Sequence, residues 1–261
     1  MVVDDGVASR EDVEGIVARY SFARLVRGRG AGPAAARNAG ASAARGDFFC
    51  FTDDDCQPAR EWAERLVAQL EQGADAVAGT TLSCGGALDT ASEIAAHAPA
   101  VLPPPPGSDL AFAPSNNLAC TRAVFESVPF DESFPLAAGE DREWCASLLA
   151  AGHTLRAEPT ARIVHRQRLT FRSFVRQQAR YGEGAFRFRR DSETPRTLEG
   201  IGFYVRLLRQ GFAEGPLVGL LVGLAQAATA TGFARGWRKT RGARGVVTTD
   251  LRARASREDG A

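Results

Sequence analysis

Lysine is almost missing from this chain of 261 residues: of 32 basic side chains only Lys239 is a lysine, and the rest are arginines. Together with abundant alanine and glycine, this reads as genome composition and not as function. A basic excess is missing as well, since 31 acidic residues leave a net charge of +1. That balance argues against a dedicated nucleic-acid binder. Paired cysteines are absent. Cys50, Cys56, Cys84, Cys120 and Cys145 stand singly, without metal-ligand spacing and in odd number, so no disulfide framework is indicated. Cys50 lies inside an apolar run, which suits a reduced core thiol and a cytosolic compartment. No signal peptide opens the chain, because Met1-Val2-Val3 leads straight to Asp4 and Asp5. Gly28, Gly30 and Gly32 precede a helix but lack the third glycine of a dinucleotide fingerprint. Packing of a small-residue helix explains them better.

What is present is a globular composition, 44% hydrophobic and 24% charged. Short apolar runs alternate with helical patterns over residues 1–80. Val2-Val3, Ala23–Val26, Phe48–Phe51 and Ala76–Gly79 read as strands. Residues 10–19, the alanine-rich run from Pro33 to Gly46, and Pro58–Leu70 read as helices, the last with Trp62, Leu66 and Leu70 on one stripe. Such alternation predicts an α/β fold with a mostly parallel sheet and helices on both faces. Residues 84–115 read as loop-rich, with Pro103–Pro106 as a surface excursion. Ser115–Cys120 then reads as a strand, Thr121 as the cap of a helix, Glu140–Gly152 as a helix and Arg162–His165 as a strand.

Three carboxylates, Asp53, Asp54 and Asp55, follow the apolar run Phe48–Phe51 directly. In an extended chain Asp53 and Asp55 point to one side, and two such charges ask for a cation. One of them could instead cap a following helix. Glu140 and Asp141 form a second acidic cluster at a helix start, where they could simply complement the macrodipole. His165, one of three histidines, ends a strand and is either structural or the nitrogen ligand of a carboxylate site. The Arg-rich helical stretch 166–190 is either a solvated face or a cradle for diphosphate or an anionic head group.

The last third is helical. Pro216–Ala234 runs nineteen residues without a charge, followed by Arg235, Arg238, Lys239, Arg241 and Arg244. An interfacial membrane helix with a basic anchor and a buried helix at an oligomer interface both fit, and Gln226, Thr229 and Thr231 make a full span a poor fit. Disorder is expected after Arg244.

Taken together, Val3-Asp4-Asp5-Gly6, Gly32 through Arg37-Asn38 to Gly46-Asp47, Phe51-Thr52-Asp53-Asp54-Asp55, Asn117-Leu118-Ala119 with Phe130–Phe134, and Gly139–Glu143 resemble family 2 glycosyltransferases of GT-A fold. The resemblance implies a core over residues 1–170 and a C-terminal helical extension over 171–261. It implies inverting, metal-dependent transfer of a sugar, of hexosyltransferase type, from a nucleotide-diphosphate sugar to a hydroxyl acceptor, with a cell-envelope glycan or glycolipid as the expected setting. Asp4, Asp5, Arg37, Asp53 and Asn117 would bind the nucleotide sugar. Asp55 and His165 would hold a divalent metal, Mn or Mg. Asp141, beside Glu140, would be the catalytic base. Gln177-Gln178-Ala179-Arg180-Tyr181 loosely resembles the QxxRW motif of processive members. The expected place is the cytoplasm, peripheral to the inner face of the membrane through residues 216–244, with no nucleic-acid partner and a lipid-linked acceptor. Family members carry another strand and helix ahead of the Val-Asp-Asp turn, so a late start or a gene remnant is expected. Two alternatives remain: a non-catalytic or vestigial fragment, and a sugar nucleotidyltransferase.

Overall fold

The computed structural model describes residues 1–6, 10–96, 106–134, 138–191 and 200–258, with the side chains of 10–11, 191 and 241–258 excepted. Most of the proline run therefore lies outside the described residues. In chain order the elements are β1 (Val2–Asp4), α1 (Arg10–Val17), β2 (Leu25–Arg27), α2 (Pro33–Ala43), β3 (Phe48–Phe51), β4 (Cys56–Pro58), α3 (Trp62–Glu71), β5 (Ala76–Ser83), α4 (Ala87–Ala96), β6 (Leu118–Thr121), α5 (Arg122–Ser127), α6 (Glu140–Ala150), β7 (Leu155–His165), α7 (Phe171–Asp191), α8 (Ile201–Glu214) and α9 (Pro216–Glu258).

The α/β architecture is as expected, but strand direction is not. β1 and β2 pair parallel as a separate ribbon, and the main sheet runs β3-β6-β5-β7-β4. Within it, β5 and β7 are parallel, whereas β3–β6, β5–β6 and β4–β7 are antiparallel. Two insertions cause this. β6 enters between β3 and β5 after a 3-10 turn at Ser115–Asn117. β4 is the return of the chain from β3, so a short strand occupies the residues that the sequence assigns to the start of a helix. α3 begins later, at Trp62.

Alternation along the strands feeds two cores. Ala76, Ala78, Leu118 and Cys120 face Phe49, Phe125, Phe130, Trp144 and Leu148. Val77 and Ala119 face the opposite layer with Trp62, Leu66, Leu70 and Ile163. The stripe on α3 is thus buried as its spacing predicts, and truncating Leu66, which is fully buried, should cost about 2–5 kcal/mol. Thr121 caps α5 as expected, its Oγ1 accepting from Val124 N at 3.2 Å.

A third core lies in the helical layer. Ala91 and Ile94 of α4 pack with Phe174, Leu207, Val218, Leu221, Val222 and Ala225. α4 was unforeseen, and through it this core crosses the boundary placed at residue 170. α9 approaches α7 very closely: a Cβ on Gly182 would lie 1.9 Å from Thr229 O, and one on Gly232 would lie 1.8 Å from Ala179 O. Pro216–Thr240 is long and apolar enough to cross a membrane. Even so, one face of it is committed to protein, while Leu217 and Leu220 are exposed. The helix continues to Glu258, where the sequence predicts disorder after Arg244.

Candidate active site

The two acidic clusters and His165 meet at one end of the main sheet, around a cavity of about 1890 Å³ that Asp53, Asp54, Asp55, Glu140, Asp141 and His165 all line. The acidic triplet is not extended. Cys56 N donates to Asp53 O at 3.1 Å, closing a turn that sends Asp53 and Asp55 in different directions instead of side by side. Each finds its own cation.

Asp55 goes to His165, and strand register is the reason. β4 returns antiparallel on β7 with Cys56 opposite His165, and Arg166 N donates to Asp55 O at 2.7 Å. Asp55 Oδ2 then lies 3.1 Å from His165 Nε2. The other ring nitrogen, Nδ1, bonds Glu93 Oε1 of α4. Burial pulls the imidazolium pKa down, but the hydrogen bonds to Asp55 and Glu93 outweigh it and hold it up to about 10. The bond from His165 in turn lowers Asp55. One ligand atom each from Asp55, Cys56 and His165 lie within 4.8 Å of one another. Carboxylate and imidazole suit a divalent cation such as Mn or Mg. Burial and the nearby Asp53 and Asp55 push the Cys56 thiol up to about 12, so it offers no thiolate at neutral pH.

Asp53 goes to Arg37. From α2, Arg37 Nη2 donates to Asp53 Oδ1 and Nη1 to Glu140 Oε1, each at 3.1 Å, with the guanidinium 5.4 Å from the Phe130 ring centroid. Burial opposes the Arg37 charge, yet Asp53, Glu140 and Asp141 outweigh it and its pKa is raised. Glu140 is 4% exposed, and its Oε2 is buried without a hydrogen-bond partner. Burial first, and the neighbouring Asp141 second, push its pKa to about 7 against the pull of Arg37. Both acids also lie in the first turn of α6, so the macrodipole reading holds alongside. Asn38, next to Arg37, fixes α2 to the segment after α5. Its Nδ2 donates to Phe130 O at 2.9 Å and its Oδ1 accepts from Phe130 N at 3.1 Å.

Asp4 and Asp5 also line the cavity, but both are engaged by the chain itself. Asp4 accepts from Gly6 N at 2.9 Å and pairs with Arg27. Asp5 accepts from Gly30 N at 2.9 Å and Gly32 N at 2.7 Å. Gly30 and Gly32 have φ of 69° and 97°, which glycine adopts freely. The glycine loop is therefore built to wrap Asp5.

Asn117 is engaged within the protein rather than among the residues that line the cavity. It is fully buried, its Oδ1 accepts from Trp62 Nε1 at 2.7 Å, and its Nδ2 donates to Ala161 O at 3.2 Å. Its amide is spent on holding α3 to the sheet. Asn116, beside it, lines the cavity instead. Sequence reasoning also missed Glu93. Gln177, Arg180 and Tyr181 of the loose QxxRW match do line the cavity.

Residues 1–125 match the family described as Glycosyl transferase family 2. Two curated relatives, both named "Pre-mycofactocin glycosyltransferase" and from two strains of Mycobacterium tuberculosis (CDC 1551 / Oshkosh and ATCC 25618 / H37Rv), are each 32% identical over 202 residues, 71% of this chain and 41% of the relative. The chain thus spans about 41% of the length of these relatives. Among solved structures, GalNAc-T7 with UDP, GalNAc and Mn2+ superposes with a TM-score of 0.54 at 14% identity, over 89% of this chain and 48% of that one. The mannosyltransferase PcManGT from Pyrobaculum calidifontis, in complex with GDP-Man and Mn2+, gives 0.52 at 18% identity, over 95% and 70%. The fold is therefore GT-A. With its acidic turn, its Glu-Asp helix start and the match over residues 1–125, the chain belongs to glycosyl transferase family 2.

Proposed function

We propose that this chain transfers a sugar from a nucleotide-diphosphate sugar to an acceptor hydroxyl, with inversion at the anomeric carbon and with a divalent cation. The observation that carries this is the Arg37 bridge, 3.1 Å from both Asp53 and Glu140, which ties the two acidic clusters of the family pattern to one cavity wall. Asp141 follows Glu140 on that wall and is the base. It takes the proton of the acceptor hydroxyl as the new oxygen–carbon bond forms and the bond to the diphosphate breaks. Glu140 holds Arg37 and so keeps the start of α6 in place. Asp55 and His165 would hold the cation, which when bound supplies Lewis-acid stabilisation of the departing diphosphate. The two solved relatives named above carry Mn2+ with a nucleotide or nucleotide sugar, which supports that donor class.

The test is Asp141→Asn, assayed for nucleoside diphosphate release from a panel of sugar nucleotides with Mn2+, alongside calorimetric donor binding. Loss of a general base should lower transfer by about 10²–10⁴-fold and leave donor affinity nearly unchanged. Undiminished transfer would remove Asp141 from the mechanism.

One observation favours a binding fragment without turnover. β1 pairs with β2 alone, and the cavity runs between Val2-Val3 and Phe48–Phe51, so the ribbon stands apart from the main sheet. Donor binding without turnover on any acceptor would select that reading. A nucleotidyltransferase is disfavoured, because the amides of Gly30 and Gly32 are taken by Asp5 and not offered to phosphate.

For the acceptor we favour a lipid-linked hydroxyl at the cytoplasmic membrane face. The exposed Leu217 and Leu220, with Arg235, Arg238 and Lys239 further along α9, support interfacial contact over a span. Co-sedimentation with anionic vesicles checks it, and absence of binding at low salt would count against it.

A further inference from the structure

α4 is an odd helix. Asp89, Ser92 and Glu93 are all buried on it, and every one has a partner across the loop that follows β7 or on α7. Asp89 Oδ1 accepts from Leu169 N at 2.8 Å. Ser92 Oγ accepts from Gln178 Nε2 at 3.0 Å. Glu93 Oε1 bonds His165 Nδ1 and accepts from Gln167 Nε2 at 3.1 Å. Gln167 Oε1 accepts from Gln177 Nε2 at 3.2 Å, and that same amide donates to the Tyr181 hydroxyl at 2.9 Å. Glu93 is thus braced from behind by a polar ladder, and His165 is clamped between it and Asp55.

We propose that Glu93 is a positioning residue for the cation site. By accepting from Nδ1–H, it holds the His165 ring with Nε2 turned toward Asp55, so that Nε2 is the nitrogen that would give up its proton to a divalent cation. The inference rests on the metal reading given above. A neutral imidazole has one donor and one acceptor nitrogen, and the partner of one decides the role of the other. A carboxylate behind the ring takes the proton side, leaving the opposite nitrogen for the metal. Here the two nitrogens meet carboxylates from two elements that both line the cavity, and of the two Asp55 is the exposed one and Glu93 the buried one.

The experiment is Mn2+ titration by calorimetry of the unaltered chain, Glu93→Ala, Glu93→Gln, His165→Ala and Asp55→Ala. Glu93→Ala should weaken Mn2+ binding about 10–100-fold. Glu93→Gln, whose amide oxygen still accepts from Nδ1–H, should recover most of that loss. Added to His165→Ala, Glu93→Ala should change nothing further. Wild-type affinity in Glu93→Ala, with weakened binding in His165→Ala, overturns the role of Glu93 while the metal reading stands. Wild-type affinity in both His165→Ala and Asp55→Ala overturns the metal reading itself. If Glu93→Ala does not fold, the ring nitrogens of His165 can be read by ¹⁵N NMR in the unaltered chain with Mg2+. At saturating Mg2+ a proton on Nδ1 and none on Nε2 is expected, and a proton on Nε2 with none on Nδ1, or on both, rules the proposal out.

Discussion

Asp53 and Asp55 are two residues apart, yet they sit in two differently built halves of one site. Asp53 is neutralised by Arg37, a guanidinium shared with Glu140 and shielded by Phe130. Asp55 is neutralised by His165, an imidazole shared with Glu93. The electrostatic problem is the same, but the cations differ in permanence. A guanidinium cannot give up its proton in a protein, so the Arg37 half is fixed. An imidazole can, and a neutral imidazole can serve as a ligand, so under the proposed function the His165 half would exchange a proton for a metal ion. The difference teaches which half is scaffold and which half is exchangeable.

The sharpest way to break the comparison is to remove the permanent cation. Arg37→Met leaves Glu140, with an already buried and unpartnered Oε2, without its counter-charge. Breaking a buried pair from one side typically costs about 3–5 kcal/mol, and urea unfolding at pH 8 should show a loss of that size. A loss under about 1 kcal/mol would mean that Arg37 is no scaffold. Arg37→Lys should restore little, because one ammonium on a flexible stem cannot reproduce the two-armed bridge.

Next in size is the pH effect that the Arg37 half contributes between about 4.5 and 7. The Glu140 pKa in the folded chain, about 7, lies above the 4.5 of an unperturbed glutamate. Below about 4.5 the group is protonated in both states. Between the two values the folded state binds more protons than the unfolded one, so the Glu140 contribution to stability declines as pH rises and is fully lost above about 7, where the His165 imidazolium, held up to about 10, continues the decline. The Glu140 part of the decline is bounded by about 3 kcal/mol at about 1.36 kcal/mol per unit, and Glu140→Gln should flatten it. A pH profile that keeps its slope in Glu140→Gln assigns the titration elsewhere.

The His165 half should respond to divalent ions as well as to pH. Mn2+ at a hundredfold excess over its dissociation constant should stabilise the chain by about 2.7 kcal/mol, seen as a rise in Tm. At that same concentration the rise should disappear in His165→Ala and persist in Glu140→Gln. Loss of the response in Glu140→Gln would merge the two halves into one.

How far the sequence carries this picture differs between the halves. Phe48–Phe51 running into Asp53–Asp55, the acidic start of α6 and the strand-end His165 are local patterns, and each is readable because a strand, a helix cap or a turn is written within a few residues. The Arg37 bridge spans 103 residues to Glu140 and only the family pattern hints at it. The register that sets Cys56 opposite His165 has no local signal, since β4 is three residues long and ends in proline. α4 was hidden for a physical reason. Its buried side is Asp89, Ser92 and Glu93 as well as Ala91 and Ile94, so no apolar stripe marks it, and Glu93 was lost with it. Asn117 is the opposite case. A polar residue in a family motif is expected to contact the nucleotide sugar, and in the structure its amide is bonded to Trp62 and Ala161.

The smallest expected effect concerns Cys56, which sits against both halves without serving either. Its Sγ is within 3.8 Å of Asp55 Oδ1 and close to His165, so geometry alone would admit a three-ligand Asp-Cys-His site. Ligand chemistry argues otherwise. A thiol raised to about 12 stays protonated, and a hard cation matched to carboxylate and imidazole gains little from it, whereas a soft metal would take the thiolate. Cys56→Ser should therefore leave Mn2+ affinity within about twofold of the unaltered chain, below the 1.4 kcal/mol that a tenfold change represents. A larger loss, especially with Zn2+ binding far more tightly than Mn2+ in the unaltered chain, would make the exchangeable half a sulfur site and change the metal that this glycosyltransferase fold is expected to recruit.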